Sequence, residues 1–219
     1  MAFDLKDLNY DKDSKERLPW EHYLKQYQEA DPSEISSRLQ IPYDEEQGFT
    51  FTFLGTLYHV TWPDFQVTHE PDAIGYYPLE EMNNARILAI RYLLSSAVGR
   101  STGTFKTYRE MPWGEVYLRQ FNGRCIMRLA FSYGNKLEVF SRICEKMQAK
   151  KIQFGDCAYE FELFRDLRVQ FILWAGDDEF PPSSQILFSD NFAAAFEAED
   201  MAVTGDIMIS ALKAVEKLL

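Results

Sequence analysis

The most concentrated chemistry in the chain is the run Trp174-Ala-Gly-Asp177-Asp178-Glu179-Phe. Three consecutive carboxylates after a glycine could hold a hard cation, which takes several oxygen ligands. A calcium loop, however, alternates its ligands and closes with a Glu at fixed spacing, and that spacing is absent here. The competing reading is a solvated turn capped by its own acids, and no metal is expected. Arg91 is the second feature, because it interrupts the apolar run Ile87 to Val98. Arg86 and Arg91 either snorkel to the surface, the commoner outcome, or one of them is a buried partner for an anion or a carboxylate, which is costly unless paired. An enzymatic alternative joins Asp177, Asp178 and Glu179 to Arg91 or Arg119 as anion partner, and it requires these groups to converge in one concave pocket. Trp174, Asp177, Asp178, Glu179, Arg91 and Arg119 are therefore the ligand-binding candidates, and no catalytic residue is assigned.

Other reactive side chains offer less. His22, His59 and His69 share no ligand spacing. Cys125, Cys144 and Cys157 lie far apart, without a C-x-x-C pair, so they are expected as buried, reduced thiols rather than as a disulfide or metal framework. A Cys–His nucleophilic pair would form only through the fold, and nothing in the spacing selects one. Gly99-Arg-Ser-Thr-Gly103 lacks the lysine and spacing of a phosphate loop and follows a helix rather than a strand; a helix stop and turn is the simpler reading.

The elements that must position these groups follow from hydrophobic rhythm. Residues 1–17 are charged and aperiodic, and they read as a polar arm before a single α+β domain over 18–219. Trp20, Tyr23, Leu24 and Tyr27 stand at helical spacing. Asp31, Pro32 and Glu34 resemble a helix start with a capping box. Phe49, Phe51 and Phe53 alternate with threonines as a half-buried strand, Gly55 can turn the chain, and Leu57 to Trp62 returns. Ile87, Ile90, Leu94 and Ala97 form the stripe of a helix over roughly 80–98, expected to be the most buried one. Thr104–Arg109 and Glu115–Gln120 read as strands around the turn Met-Pro-Trp-Gly. Asn122-Gly123 is a hairpin signal, but the polar stripe Arg124, Arg128, Ser132 favours a short helix ended by Gly134, with Asn135 capping the next. Tyr159/Phe161/Leu163 and Val169/Phe171/Leu173 alternate with polar residues, and a turn at Arg165-Asp166 makes them an antiparallel hairpin. Ile186–Ser189 is a third strand, and a final helix begins near Glu199 with acids at its start. The expected class is α+β, a mostly antiparallel sheet packed against several helices.

The totals bound the function. With 46% hydrophobic residues and 33 aromatics (17 Phe, 12 Tyr, 4 Trp), the 219-residue chain can bury a substantial core. A net charge of −11 argues against nucleic-acid or anionic-membrane partners and leaves room for a basic protein partner. The first residues carry no apolar signal core and no stretch approaches a membrane span, so the cytoplasm is the expected location.

The segments LAIRYLLSSAVG, YREMPWGEVYLRQF, GDCAYEFELF and LWAGDDEFPPSSQILFSD, followed by EDMAVTGDIM, resemble in order and spacing a prokaryotic domain-of-unknown-function family, the one numbered 3786. The likeness spans roughly residues 80–210. It implies a fold and no transferable catalytic residues. Some relatives look fused to a cysteine-rich iron–sulfur domain. This chain lacks those cysteines, so a cluster-related role would fall to a partner. Together these readings favour a non-catalytic binding or accessory module, redox- or corrinoid-related by analogy alone, with cofactor unknown. The alternatives are the acidic-loop enzyme and a structural or oligomeric protein.

Overall fold

The computed structural model describes residues 18–96 and 98–219. The polar arm expected over 1–17, and Ala97 of the apolar stripe, lie outside the described residues. Among the described residues the fold is α+β, with two antiparallel sheets and helices packed on them.

Helices α1 (Leu18–Glu29) and α2 (Pro32–Leu39) open the described chain. Asp31 caps α2 as its spacing predicts, its Oδ1 accepting from Ser33 N at 2.7 Å and Glu34 N at 3.4 Å. Strands β1 (Tyr43–Asp44), β2 (Gly48–Phe53), β3 (Thr56–Val60) and β4 (Val67–His69) form the first sheet in sequential order. Phe49, Phe51 and Phe53 all point into the core, opposite Val60, Tyr58 and Thr56. That placement is what period-two alternation dictates.

The helix expected over 80–98 differs from the observed one. Met82 leaves helical geometry (φ −126°, ψ 117°), splitting the segment into α3 (Pro78–Glu81) and α4 (Asn83–Leu94). α4 stops at Leu94, where Ser95 turns extended and its hydroxyl donates to Tyr92 O. Tyr92 stacks on Phe164 at 4.2 Å, and Phe51 and Phe53 also meet Phe164, so α4 and both sheets share one buried cluster.

β5 (Phe105–Thr107) is a strand as expected, followed by a 3-10 turn at Tyr108–Glu110. Glu115–Gln120 is not a strand. It belongs to α5 (Gly114–Phe121), which runs through a π-helical turn (Asn122–Met127) into α6 (Arg128–Tyr133). Val116 and Tyr117 are exposed. Gly114, Phe121, Cys125 and Leu129 are buried at roughly helical spacing. Core contact overrides local preference here. The helical reading of 122–133, ended by Gly134, holds. α7 (Leu137–Lys146) is capped by Lys136 rather than by Asn135, whose Oδ1 instead accepts from Gly176 N at 3.2 Å.

The second sheet has the order β5-β9-β8-β7-β6, with β6 (Lys150–Ile152), β7 (Cys157–Phe164), β8 (Leu167–Trp174) and β9 (Ser183–Ser189). The hairpin turn at Arg165-Asp166 falls where the alternation placed it. The last helix, α8 (Ala198–Glu216), has twelve of its nineteen residues buried, against six of twelve in α4. It is therefore α8 that fills the centre. Cys125, Cys144 and Cys157 are all buried and free.

Candidate binding cleft

Four helical segments leave a cleft of about 840 Å³ between them. α1 contributes Pro19 and Tyr23, and the α3–α4 break contributes Met82. Ile87 and Arg91 come from α4, Arg124 from the π turn, and Asp200 and Val203 from the start of α8. Each placement has a local cause. The break at Met82 opens the entrance to α4. The π turn forms where Asn122-Gly123 weakens regular helix, and π turns recur at functional sites. Gly205 lets α8 approach that turn, since a Cβ there would lie 2.8 Å from Cys125 Sγ. The Cys125 thiol donates to Ala202 O at 3.4 Å across this contact, and burial pushes its pKa up to about 12.

Arg91 and Asp200 form the wall of the cleft. Arg91 Nη2 lies 2.8 Å from Asp200 Oδ2 and 3.8 Å from Glu197 Oε2, and Nη1 donates to Tyr23 Oη at 2.7 Å. The guanidinium carbon also lies 4.9 Å from the centre of the Tyr23 ring. The Asp200 side chain is 7% exposed and that of Arg91 24%. Asp200 Oδ2 also accepts from Glu197 N at 3.0 Å, so one carboxylate both caps α8 and pairs with α4. Burial pushes the Asp200 pKa up to about 6. Arg91 and the Glu197 N–H oppose the shift, while Glu197 and Glu199 add to it. Desolvation therefore outweighs the ion pair. Next to the cleft, Arg124 and Arg128 share Asp206.

Arg91 is the one residue of the six sequence candidates that lines this cleft. It takes a buried carboxylate as partner, the rarer of the two alternatives for such an arginine. Arg86 lies with its guanidinium 4.7 Å from the Trp20 ring centre, and its Nε is buried without a hydrogen bond. Trp174 lines a separate cavity of about 260 Å³ with Tyr108, Leu118 and Ile186. Arg119 is exposed on α5. Asp177, Asp178 and Glu179 are exposed on the β8–β9 loop. Asp177 Oδ1 accepts from Phe180 N at 2.7 Å and Glu179 N at 2.9 Å, and these bonds lower its pKa. The structure thus keeps the acidic loop apart from the Arg91 cleft. Sequence reasoning did not single out Asp200, Tyr23 or Arg124. The signal that pointed toward Asp200 was the need of Arg91, on an apolar helix, for a compensating charge.

His59 lies in β3 between Thr50 Oγ1 at 3.0 Å and Glu70 Oε1 at 2.9 Å, and His69 contacts Glu80 at 2.7 Å. Among the described residues, no group of three or more His, Cys, Asp or Glu side chains is placed to hold a metal ion. No described helix is long and apolar enough to cross a membrane.

The family model described as Domain of unknown function (DUF3786) matches residues 31–211. The chain belongs to this family. The DUF3786 match takes in Arg91, Arg124 and Asp200, while Tyr23 on α1 precedes it. No curated protein and no solved structure matches the chain.

Proposed function

We propose that this DUF3786 chain is a non-catalytic binding or accessory module whose ligand seats between α1, α4, the π turn and α8. The observation that carries this reading is the cleft of about 840 Å³ with a largely desolvated ion pair in its wall. That volume falls within the roughly 300–1,000 Å³ of small-molecule sites. Met82, Ile87 and Val203 offer an apolar bed, and Arg91, Arg124 and Asp200 offer converging polar groups. This is the usual division of labour in a ligand pocket. The fitting ligand is a small organic molecule with an apolar body and a polar end able to meet both a guanidinium and a carboxyl group.

Thermal-shift and absorbance screening of the full chain tests this, with tetrapyrroles, redox cofactors and polar metabolites as probes. Val203→Trp narrows the cleft from a half-buried position, and circular dichroism confirms that the variant folds. Ligands that shift the wild type are expected to leave Val203→Trp unshifted. A screen in which nothing shifts the wild type, or in which both proteins shift equally, overturns the reading.

A further inference from the structure

The cleft between α1, α4, the π turn and α8 holds more carboxylates than cations. Arg91 is matched by Asp200 at 2.8 Å and Glu197 at 3.8 Å, and Arg124 shares Asp206 with Arg128. Glu81, at the end of α3, and Glu199, in the first turn of α8, line the same cleft from different elements. Neither side chain makes an ion pair or hydrogen bond among the described residues. Of the charged groups in the cleft wall and their ion-pair partners among the described residues, five are carboxylates and three are guanidinium groups. The pKa of Asp200 points the same way. Burial raises it first, and Glu197 and Glu199 push it further, which is the effect of surplus negative potential at this wall.

We infer, resting on the reading of this cleft as a ligand site, that the ligand is an organic cation: an ammonium group on an apolar body, with a hydroxyl or carbonyl oxygen beside it. The volume and the apolar bed of Met82, Ile87 and Val203 make the cleft a site, and the unmatched acids decide the charge it takes. Glu81 and Glu199 are exposed, so an ammonium group meets them without the cost of burying a full charge. An anionic ligand on Arg91 would be repelled by Asp200 and Glu197, or would displace Asp200 and leave that carboxylate buried without its counter-ion. On Arg124 it would meet Asp206. A cation displaces neither pair. The ligand oxygen accepts from a guanidinium, which carries more N–H donors than its ion pair uses.

Isothermal titration calorimetry of the full chain at pH 7 and low salt tests this with two probes of one shape, phenylalaninol and 3-phenyllactate. Each carries a benzyl group and a hydroxyl; the first adds an ammonium group and the second a carboxylate. Phenylalaninol is expected to bind, and to bind less tightly as salt is added. Phenyllactate is expected to bind about tenfold more weakly or not at all. Glu81→Gln and Glu199→Gln should each weaken phenylalaninol about two- to fivefold, the range of exposed ion pairs, and unchanged melting confirms that both variants fold. Val203→Trp should abolish binding. Phenyllactate that binds the wild type as tightly as phenylalaninol, and does not bind Val203→Trp, overturns the cation while leaving the cleft a ligand site. Phenylalaninol that binds Val203→Trp undiminished overturns both. No binding of phenylalaninol, or binding indifferent to both glutamate substitutions, overturns the inference as well.

Discussion

Asp200 and Asp177 are the same side chain in opposite surroundings. Asp200 is buried at the start of α8 against Arg91, and its pKa rises to about 6. Asp177 sits on an exposed loop, and two backbone N–H groups hold its pKa below the usual value. A run of acids in sequence draws attention to the loop, yet those acids are satisfied by their own turn or by water. Asp200, which must share a desolvated position with a guanidinium, is the acid whose protonation the fold shifts upward. Charge density in the sequence and electrostatic leverage in the fold are different properties.

The largest test of this contrast is Arg91→Met. It leaves the Asp200 carboxylate buried without its counter-ion, so about 3 kcal/mol of stability should be lost at pH 7. The loss should shrink at pH 5, where the carboxyl can neutralise by taking up a proton. Urea denaturation at the two pH values measures both effects. An equal loss at both would mean that Arg91 acts by packing alone.

A smaller effect is expected from Asp200→Asn. The folded pKa of Asp200 lies above the unfolded value of 3.8, so between about pH 4 and 6 the folded state binds the extra proton. Its ionisation therefore lowers stability as pH rises through that window, by on the order of 1–3 kcal/mol for a shift of this size. Asp200→Asn should remove this slope, flattening the stability-versus-pH curve from pH 4 to 7. A variant whose curve parallels the wild type would place the titration elsewhere.

Asp177→Ala should have the opposite sign and the smallest size. The lowered folded pKa means that Asp177 stabilises the protein above its unfolded value near 4, and that this contribution disappears as pH falls through the folded pKa. The variant should melt slightly below the wild type at pH 7 and coincide with it in strong acid. A large loss at pH 7 would show that the β8–β9 loop carries more of the fold than its exposure implies.

The strands are the part most legible in the sequence. Phe49, Phe51 and Phe53, and later Tyr159, Phe161 and Leu163, sit in the core because alternation fixes which face each residue takes. Asp31 caps α2 for an equally local reason. Glu115–Gln120 reads as a strand only from its place beside the turn Met-Pro-Trp-Gly, whereas Phe121, Cys125 and Leu129 are held by a core that no short window contains.

Periodicity and capping are interactions between near neighbours, so the chain's own order set the α+β class and both hairpins. The cleft is a property of distance in space. Tyr23, Arg91, Arg124 and Asp200 come from four helical segments far apart along the chain, and they meet only because α4 and α8 pack on the shared core. Sequence left Arg91 either reaching the surface or paired with a buried charge; tertiary packing chose Asp200 and desolvated it.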